Sequence, residues 1–278
     1  MWRVPHRIVP AHFAPLLLAL LCTACAASRS AASGAPSAQA LRVVSYNIRH
    51  GLGLDGQLDL ARVARVLAAE APDVVLLQEV DERTARALGV DQAAALGTEL
   101  GMSAHFAPFM DYGGGRYGLA ILSRLPVASA TQVALPPGKQ EPRAALVITL
   151  AGAGAGLHVA NAHLDWLAED TERVAQARAL CEVLVALPGR VVFGGDLNDV
   201  PDSATLRTFV DAGFVRLGPS AATFPADAPV KTIDHFLWRG DGPGDTVDVD
   251  ARVDVVAEPL ASDHRPVALQ LTLGTGER

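Results

Sequence analysis

Five short segments of this chain are hydrophobic runs that carry carboxylate, amide or imidazole side chains at one end. Continuous apolar runs of this length are typical of strands that are buried on both faces. Such strands need helices or a second sheet to cover them, so the runs restrict the chain to a layered fold. They occupy residues 43–47, 73–79, 157–163, 191–198 and 262–267. Oxygen-rich groups gathered at one edge of a sheet suit Mg²⁺ and phosphate-ester chemistry.

Strand and helix patterns alternate from residue 41 to the C-terminus. Apolar runs predict strands at 41–47, 73–79, 119–122, 127–133, 144–150, 157–163, 191–196, 233–238, 247–256 and 266–273. Apolar residues at helical spacing predict helices at 58–71, 91–100, 170–187 and 203–212. The glycine-rich segment 151–156 predicts a hairpin, and therefore antiparallel pairing. We expect an α/β fold with mixed sheets.

The N-terminal segment has the features of an export signal. Arg3 and Arg7 precede an apolar stretch at 13–21, which is too short for a permanent transmembrane helix. Cys25 follows Thr-Ala and predicts a lipoprotein anchor, with ordinary cleavage near Ala26 as the alternative. We interpret the chain as a signal peptide at 1–25, a flexible linker rich in Ala, Ser, Gly and Pro at 26–40, and one domain at 41–278.

This organisation predicts an exported monomer, either a lipoprotein of the cell envelope or a periplasmic or secreted protein. The chain has 23 Lys and Arg against 30 Asp and Glu, a formal net charge of −7. Loss of Arg3 and Arg7 with the signal would make the charge −9. An acidic body disfavours nucleic acid as a partner, because phosphate contacts supply most non-specific affinity, although a local basic groove would permit it. Cys181 would be the one remaining cysteine, and its apolar helical surroundings predict a buried thiol.

Glu79 and Asp196 each end a predicted central strand. Glu79 follows an apolar run, and a carboxylate placed in this way is a candidate ligand for a hard divalent cation. Asp196 follows two glycines that allow the backbone to turn sharply. Alternation along an extended segment predicts Asp196 and Asn198 on one side, where the carboxylate accepts a proton from water and the amide holds that water or the metal. The alternative is an Asx turn that only ends the strand.

Imidazole and guanidinium groups complete the candidate site. His264 follows Ser-Asp and, held protonated by carboxylates such as Asp234, would donate to a phosphoryl oxygen. His163 would be a second imidazole near the charge that develops in phosphoryl transfer. Arg49 and Arg143 lie near strand ends and are candidate substrate contacts, with ordinary surface arginine as the alternative.

Seven short motifs occur in an order that resembles the endonuclease/exonuclease/phosphatase superfamily, which includes deoxyribonuclease I, abasic-site endonucleases, neutral sphingomyelinases and inositol polyphosphate 5-phosphatases. The motifs are Ser-Tyr-Asn-Ile at 45–48, Gln-Glu-Val-Asp at 78–81, Tyr-Gly-Leu-Ala-Ile-Leu-Ser at 117–123, Asn-Ala-His-Leu-Asp at 161–165, Gly-Gly-Asp-Leu-Asn at 194–198, Ile-Asp-His at 233–235 and Ser-Asp-His-Arg-Pro-Val at 262–267. Each motif is weakly specific, but all seven occur in the expected order, and the resemblance extends from about residue 41 to residue 273.

The resemblance implies a four-layer α/β sandwich, in which two mixed sheets pack face to face and helices cover their outer faces. It implies Mg²⁺ or Mn²⁺ at Glu79, with Asn47 and Asp263 nearby. Asn47 would then contact the substrate as well as the metal.

The resemblance also implies a catalytic set. Asp196 would activate water with Asn198 as its companion, and His264 would contact the phosphate, supported by Asp234 and with His163 opposite. The ester would be cleaved by in-line attack without a covalent enzyme intermediate.

Several departures from the superfamily pattern bear on the substrate. Arg49 stands where abasic-site nucleases often have an acidic residue, Leu119 replaces a common Asn and His235 replaces a more usual Tyr. We therefore expect a metal-dependent phosphodiesterase or phosphatase that acts on a phospholipid, a glycolipid phosphate or a soluble phosphate ester. A secreted Mg²⁺-dependent nuclease is the alternative. A non-catalytic binding lipoprotein fits less well, because the carboxylates at 79, 196 and 263 are all present.

Overall fold

The computed structural model describes residues 39–241 and 249–273. The predicted signal peptide and the predicted linker up to residue 38 lie outside the described residues. The first strand begins at Gln39, two residues before the predicted start of the domain. Among the described residues, none of the helices has both the length and the apolar character needed to cross a membrane.

Twelve strands and four α-helices make up the described part of the chain. The strands are β1 (Gln39–Asn47), β2 (Val74–Glu82), β3 (Ser103–Tyr112), β4 (Gly115–Ser123), β5 (Val127–Ala134), β6 (Ala144–Leu150), β7 (Leu157–His163), β8 (Arg190–Asp196), β9 (Val215–Gly218), β10 (Asp234–Arg239), β11 (Val249–Val255) and β12 (Val267–Leu273). The helices are α1 (Leu60–Ala69), α2 (Gln92–Leu100), α3 (Thr171–Ala186) and α4 (Ala204–Asp211).

The strands form two mixed six-stranded sheets. Their orders are β11-β12-β1-β2-β4-β3 and β5-β6-β7-β8-β10-β9. Each sheet has one parallel pair at its centre, β1 with β2 and β7 with β8, and its other pairs are antiparallel. The predicted hairpin joins β6 to β7. The predicted α/β class with mixed sheets is confirmed.

The core has three apolar layers. The middle layer joins the two sheets face to face and includes Leu76 and Ile121 from one sheet and Val159 and Phe236 from the other. Residues of α1 and α2 pack on the outer face of the first sheet. Residues of α3 and α4, including Cys181, pack on the outer face of the second sheet. This is the four-layer sandwich that the resemblance implies. Burial raises the pKa of the Cys181 thiol to about 12, in agreement with an inert structural thiol.

A fully buried amide clamps the two sheets together. Asn161 on β7 donates hydrogen bonds of 2.9 Å to the carbonyl oxygens of Leu77 and Ala120, which belong to the opposite sheet. Its Oδ1 accepts a hydrogen bond of 2.7 Å from Gln78. These hydrogen bonds fix the position of β2 immediately before Glu79.

We expect Asn161→Ala to lower the free energy of unfolding by about 3 kcal/mol, because it leaves buried carbonyl and amide groups without partners. Urea denaturation of both proteins measures the difference. An unchanged midpoint would show that the sheets do not depend on this amide.

His235 on β10 is a buried neutral imidazole. Arg216 Nε donates to its Nδ1 at 3.1 Å, so its Nε2 carries the proton and donates to the carbonyl of Asp199 at 2.8 Å. Burial is the main reason that the pKa of His235 falls to about 4.

His235 is expected to make the fold sensitive to acid. Because the folded-state pKa lies below the unfolded value, the unfolded state binds more protons between about pH 6.5 and pH 4, and stability is lost as the pH falls through that window. At pH 5 the loss should be about 2 kcal/mol. His235→Gln keeps a donor and an acceptor but does not titrate. The free energy of unfolding of this variant, minus that of the wild type, should therefore increase by about 2 kcal/mol between pH 7 and pH 5. If the change from pH 7 to pH 5 shifted the denaturation midpoints of both proteins equally, His235 would not be the group responsible.

Candidate active site

The candidate site lies where the two central strand pairs end. Asn47 is the last residue of β1, and His163 and Asp196 are the last residues of β7 and β8. β10 runs antiparallel to β8 and begins with Asp234 opposite Asp196. Strand ends that meet at one edge of packed sheets provide a cleft for ligands.

Glu79 reaches the site through a bulge in β2. The pairing of β2 with β4 shifts register between Leu77 and Val80, and Glu79 has a left-handed φ of 57°. A non-glycine residue in this conformation is strained, and bulges commonly redirect a side chain toward a functional site. Its carboxylate therefore faces the cleft instead of following the alternation of the strand.

Asn47 connects Glu79 to Asp196. Its Nδ2 donates to Glu79 Oε1 at 3.1 Å and to Asp196 Oδ2 at 3.0 Å. Its Oδ1 accepts from the backbone N–H of Arg49 at 3.1 Å and keeps a second lone pair for a cation or a substrate. Two carboxylates that are far apart in sequence thus share one buried amide.

The predicted relation between Asp196 and Asn198 is wrong in its geometry. β8 ends at Asp196, and Asn198 has a left-handed φ of 52°. Asp196 Oδ1 accepts the backbone N–H of Asn198 at 3.0 Å, which is the Asx turn given as the alternative. The turn, and not strand alternation, brings the Asn198 side chain to the same cleft as Asp196.

Asp196 has the electrostatic character of a base that operates near neutral pH. Burial is the main cause that raises its pKa to about 7, and the carboxylate of Asp234 raises it further while the His264 imidazolium lowers it. A base with a pKa close to the working pH can take a proton from water and release it afterwards.

His264 is a buried imidazole between two carboxylates. Its Nδ1 lies 3.0 Å from Asp234 Oδ2, and its Nε2 lies 3.6 Å from Asp196 Oδ2. Burial alone would lower the pKa of His264, but Asp234 and Asp196 raise it to about 10. At neutral pH His264 is therefore a cation, with Nε2 directed at the same region as the Asp196 carboxylate.

His163 and Arg143 each have buried nitrogen atoms without partners. His163 Nε2 lies 3.5 Å from Asp196 Oδ2, and burial, together with the charge of Arg143, lowers the pKa of His163 well below its usual range. Arg143 is almost fully buried and contacts Glu141 Oε2 at 3.2 Å through Nη2. Within the described residues, Arg143 Nε and Nη1 and His163 Nδ1 have no hydrogen-bond partner. The unpaired donors of Arg143 are suited to an anionic substrate group.

Arg49 and Asp263 lie at the rim of the site. Arg49 Nε is 3.6 Å from Asp263 Oδ2, and both side chains are about one-third exposed. Ser262 Oγ donates to the backbone carbonyl of Asn47 at 2.7 Å, which ties this segment to the end of β1. All of the residues predicted from the sequence therefore gather around one edge, although Arg49 and Asp263 do not line the cleft that contains Glu79.

Two groups of side chains could hold a divalent cation. The buried ligand atoms of Asp196, Asp234 and His264 lie within 4.8 Å of one another. A cationic imidazole has no lone pair for a metal, so the charge of His264 opposes binding there. Glu79, Asn47 and Asp263 offer only oxygen ligands, as Mg²⁺ and Mn²⁺ prefer. Burial raises the pKa of Glu79, and the carboxylate of Asp263 raises it further, so a cation would stabilise this group.

An aromatic and cationic cluster was not predicted from the sequence. Arg86 donates to both carboxylate oxygens of Asp81, at 2.7 and 2.9 Å. Its guanidinium carbon lies 4.3 Å from the ring centroid of Tyr112 and 5.0 Å from that of Tyr117. Tyr112 ends β3, Tyr117 lies in β4, and residues 113–114 form the two-residue turn between these strands. Trp166 is 56% exposed beside the site. The two tyrosines that flank Gly-Gly-Gly-Arg are the sequence feature from which this cluster could have been predicted.

The chain is similar to known proteins in sequence and in fold. The model of the Endonuclease/Exonuclease/phosphatase family matches residues 44–264. An endonuclease/exonuclease/phosphatase from Beutenbergia cavernae is 25% identical, with a TM-score of 0.66 over 85% of this chain and 72% of that chain.

Two further solved structures share the fold at lower identity. A mannosyl-6-phosphatase from Bacteroides thetaiotaomicron is 19% identical, with a TM-score of 0.67 over 84% of this chain and 100% of that chain. TDP2 from D. rerio, in complex with a single-strand DNA product, is 21% identical, with a TM-score of 0.65 over 84% of this chain and 99% of that chain.

Proposed function

The chain belongs to the endonuclease/exonuclease/phosphatase family, whose members hydrolyse phosphate esters, and we propose that it is an exported, Mg²⁺- or Mn²⁺-dependent hydrolase of a phosphate ester other than duplex DNA. One observation carries the proposal. The amide of Asn47 bridges Glu79 to Asp196, so a metal-binding carboxylate and a base of raised pKa face one cleft beside the cationic His264.

Each side chain of the site has a separate role in the proposed reaction. Asp196 takes a proton from the attacking water, which Asn198 helps to orient. His264 donates a hydrogen bond to a phosphoryl oxygen, with Asp234 holding the imidazole in its charged form. The unpaired donors of Arg143 would bind a second anionic oxygen. A divalent cation at Glu79, Asn47 and Asp263 would neutralise charge on the phosphate and on the leaving oxygen.

The charge of the protein supports a small or amphiphilic substrate over duplex DNA. The formal net charge is −7, which opposes non-specific contacts with nucleic-acid backbones. A phospholipid, a glycolipid phosphate or a soluble phosphate ester avoids this penalty. Secreted nuclease activity is the second candidate, and the similarity in fold to TDP2 bound to single-strand DNA supports including it in the assay.

Hydrolysis assays on the purified domain test this proposal. The panel contains an aryl phosphodiester, its monoester, phospholipid vesicles, plasmid DNA and a single-strand oligonucleotide, each with Mg²⁺ or Mn²⁺ and again with a chelator. We expect chelator-sensitive turnover of at least one non-nucleic ester. Turnover of DNA alone would favour the nuclease, and no metal-dependent turnover of any ester would contradict the proposal.

We also propose that the N-terminal segment exports the protein and that Cys25 carries a lipid anchor. The basic start, the apolar stretch and the Thr-Ala-Cys sequence support this. Fractionation of cells should place the wild type in the membrane fraction and Cys25→Ala in a soluble fraction. Identical fractionation of the two proteins would count against lipidation.

A further inference from the structure

Two clefts meet at the catalytic residues. One has a volume of about 380 Å³ and the other of about 450 Å³, both within the range of small-molecule sites. Trp166, Asn198 and His264 line both clefts. A phosphate bound to His264 would therefore lie at the junction, with open space on either side.

The first cleft is polar and charged. It contains Glu79, the guanidinium groups of Arg86 and Arg143, and the rings of Tyr112 and Tyr117. It holds the proposed metal ligand and the unpaired donors of Arg143. Hydrogen-bonding or anionic substituents would match its walls.

The second cleft, which also contains His264, has several apolar side chains together with the ion pair of Arg173 and Asp199. Phe224 packs against the imidazole with ring centroids 4.8 Å apart, and Leu167 and Val200 face the same space. Lys231 pairs with Phe224 through backbone hydrogen bonds of 2.9 and 3.0 Å and adds a cation at the rim. None of the groups to which we assign metal binding lines this cleft, and it shares only Trp166, Asn198 and His264 with the first cleft.

We propose that the enzyme is a phosphodiesterase that binds one ester group in each cleft, with an apolar or aromatic ester group in the second cleft. The inference rests on the proposed hydrolysis of phosphate esters. Water forms one new O–P bond, one ester O–P bond breaks, the leaving oxygen takes up a proton, and a phosphomonoester that keeps the other group is released. A monoester would occupy one cleft and leave the other empty.

The test compares two chromogenic esters on the full domain with Mg²⁺ or Mn²⁺. Bis(4-nitrophenyl) phosphate has two aryl groups, and 4-nitrophenyl phosphate has one. We expect the wild type to favour the diester in kcat/KM by about 100-fold, since burial of one aromatic ring contributes about that factor.

A variant that fills the second cleft tests whether this cleft causes the preference for the diester. Val200 is 44% exposed and lines the second cleft, so Val200→Trp should reduce the diester-to-monoester ratio at least about tenfold. Val210 on α4 is 49% exposed and lines neither cleft, so Val210→Trp is the matched control and should keep the wild-type ratio.

Each outcome distinguishes the inference from the function on which it rests. A wild type that prefers the monoester, or a ratio that Val200→Trp leaves unchanged, overturns the inference and leaves the proposed hydrolase in place. Absence of metal-dependent turnover of both esters overturns the proposed hydrolase, and the inference with it.

Discussion

Asp196→Asn is expected to lower kcat for phosphate-ester hydrolysis by about 10³-fold or more, without loss of the folded state. The amide has nearly the shape of the carboxylate, but it cannot take a proton from water. It also removes one of the negative charges that keep His264 protonated. The change therefore removes the base and weakens the donor to the phosphate.

Steady-state kinetics under saturating metal measure this effect, and circular dichroism checks the fold. Asp211→Asn, an exposed carboxyl at the end of α4, is the matched control and should behave like the wild type. If Asp196→Asn retained more than about a tenth of wild-type kcat, Asp196 could not be the general base.

His264→Gln is expected to lower kcat by about 10²- to 10³-fold. Glutamine can still donate one hydrogen bond from a similar position, but it carries no charge to balance the phosphoryl oxygens. Asp234→Asn should have a smaller effect of about tenfold, because the imidazole stays in place with its charge less well stabilised.

The same assay separates His264 from other histidines. His105 in β3 lines neither cleft, so His105→Gln should keep wild-type kcat. Equal losses from His264→Gln and His105→Gln would indicate a general effect on folding and would remove the assigned role.

Most of the fold could be predicted from the sequence, since the central strands are rich in apolar residues. β3 was missed because its side chains are mostly half-buried or exposed and Pro108 interrupts the pattern. β9 was missed because it has only four residues, and Leu217, which packs against the core, is only partly buried. Both are edge strands of their sheets, where weak patterns are expected.

The site was predicted as a set of residues, but its geometry was not. Periodicity assigns Glu79 to one face of a regular strand, whereas the bulge between Leu77 and Val80 decides where it points. Asn161 from the opposite sheet donates a hydrogen bond to Leu77 beside that bulge, a contact between residues more than 80 positions apart. Arg86 was missed for a similar reason, because its role depends on two rings brought together by pairing of β3 with β4.

The central claim is that strand ends far apart in sequence gather around one divalent cation at Glu79, beside and not within the Asp196–Asp234–His264 cluster. Titration of Mn²⁺ into the domain, followed by electron paramagnetic resonance of the free ion, tests it directly. We predict that Glu79→Gln weakens Mn²⁺ binding by about tenfold or more, whereas Asp234→Asn changes it by less than about threefold. Loss of Mn²⁺ binding in Asp234→Asn, with wild-type affinity in Glu79→Gln, would contradict the account.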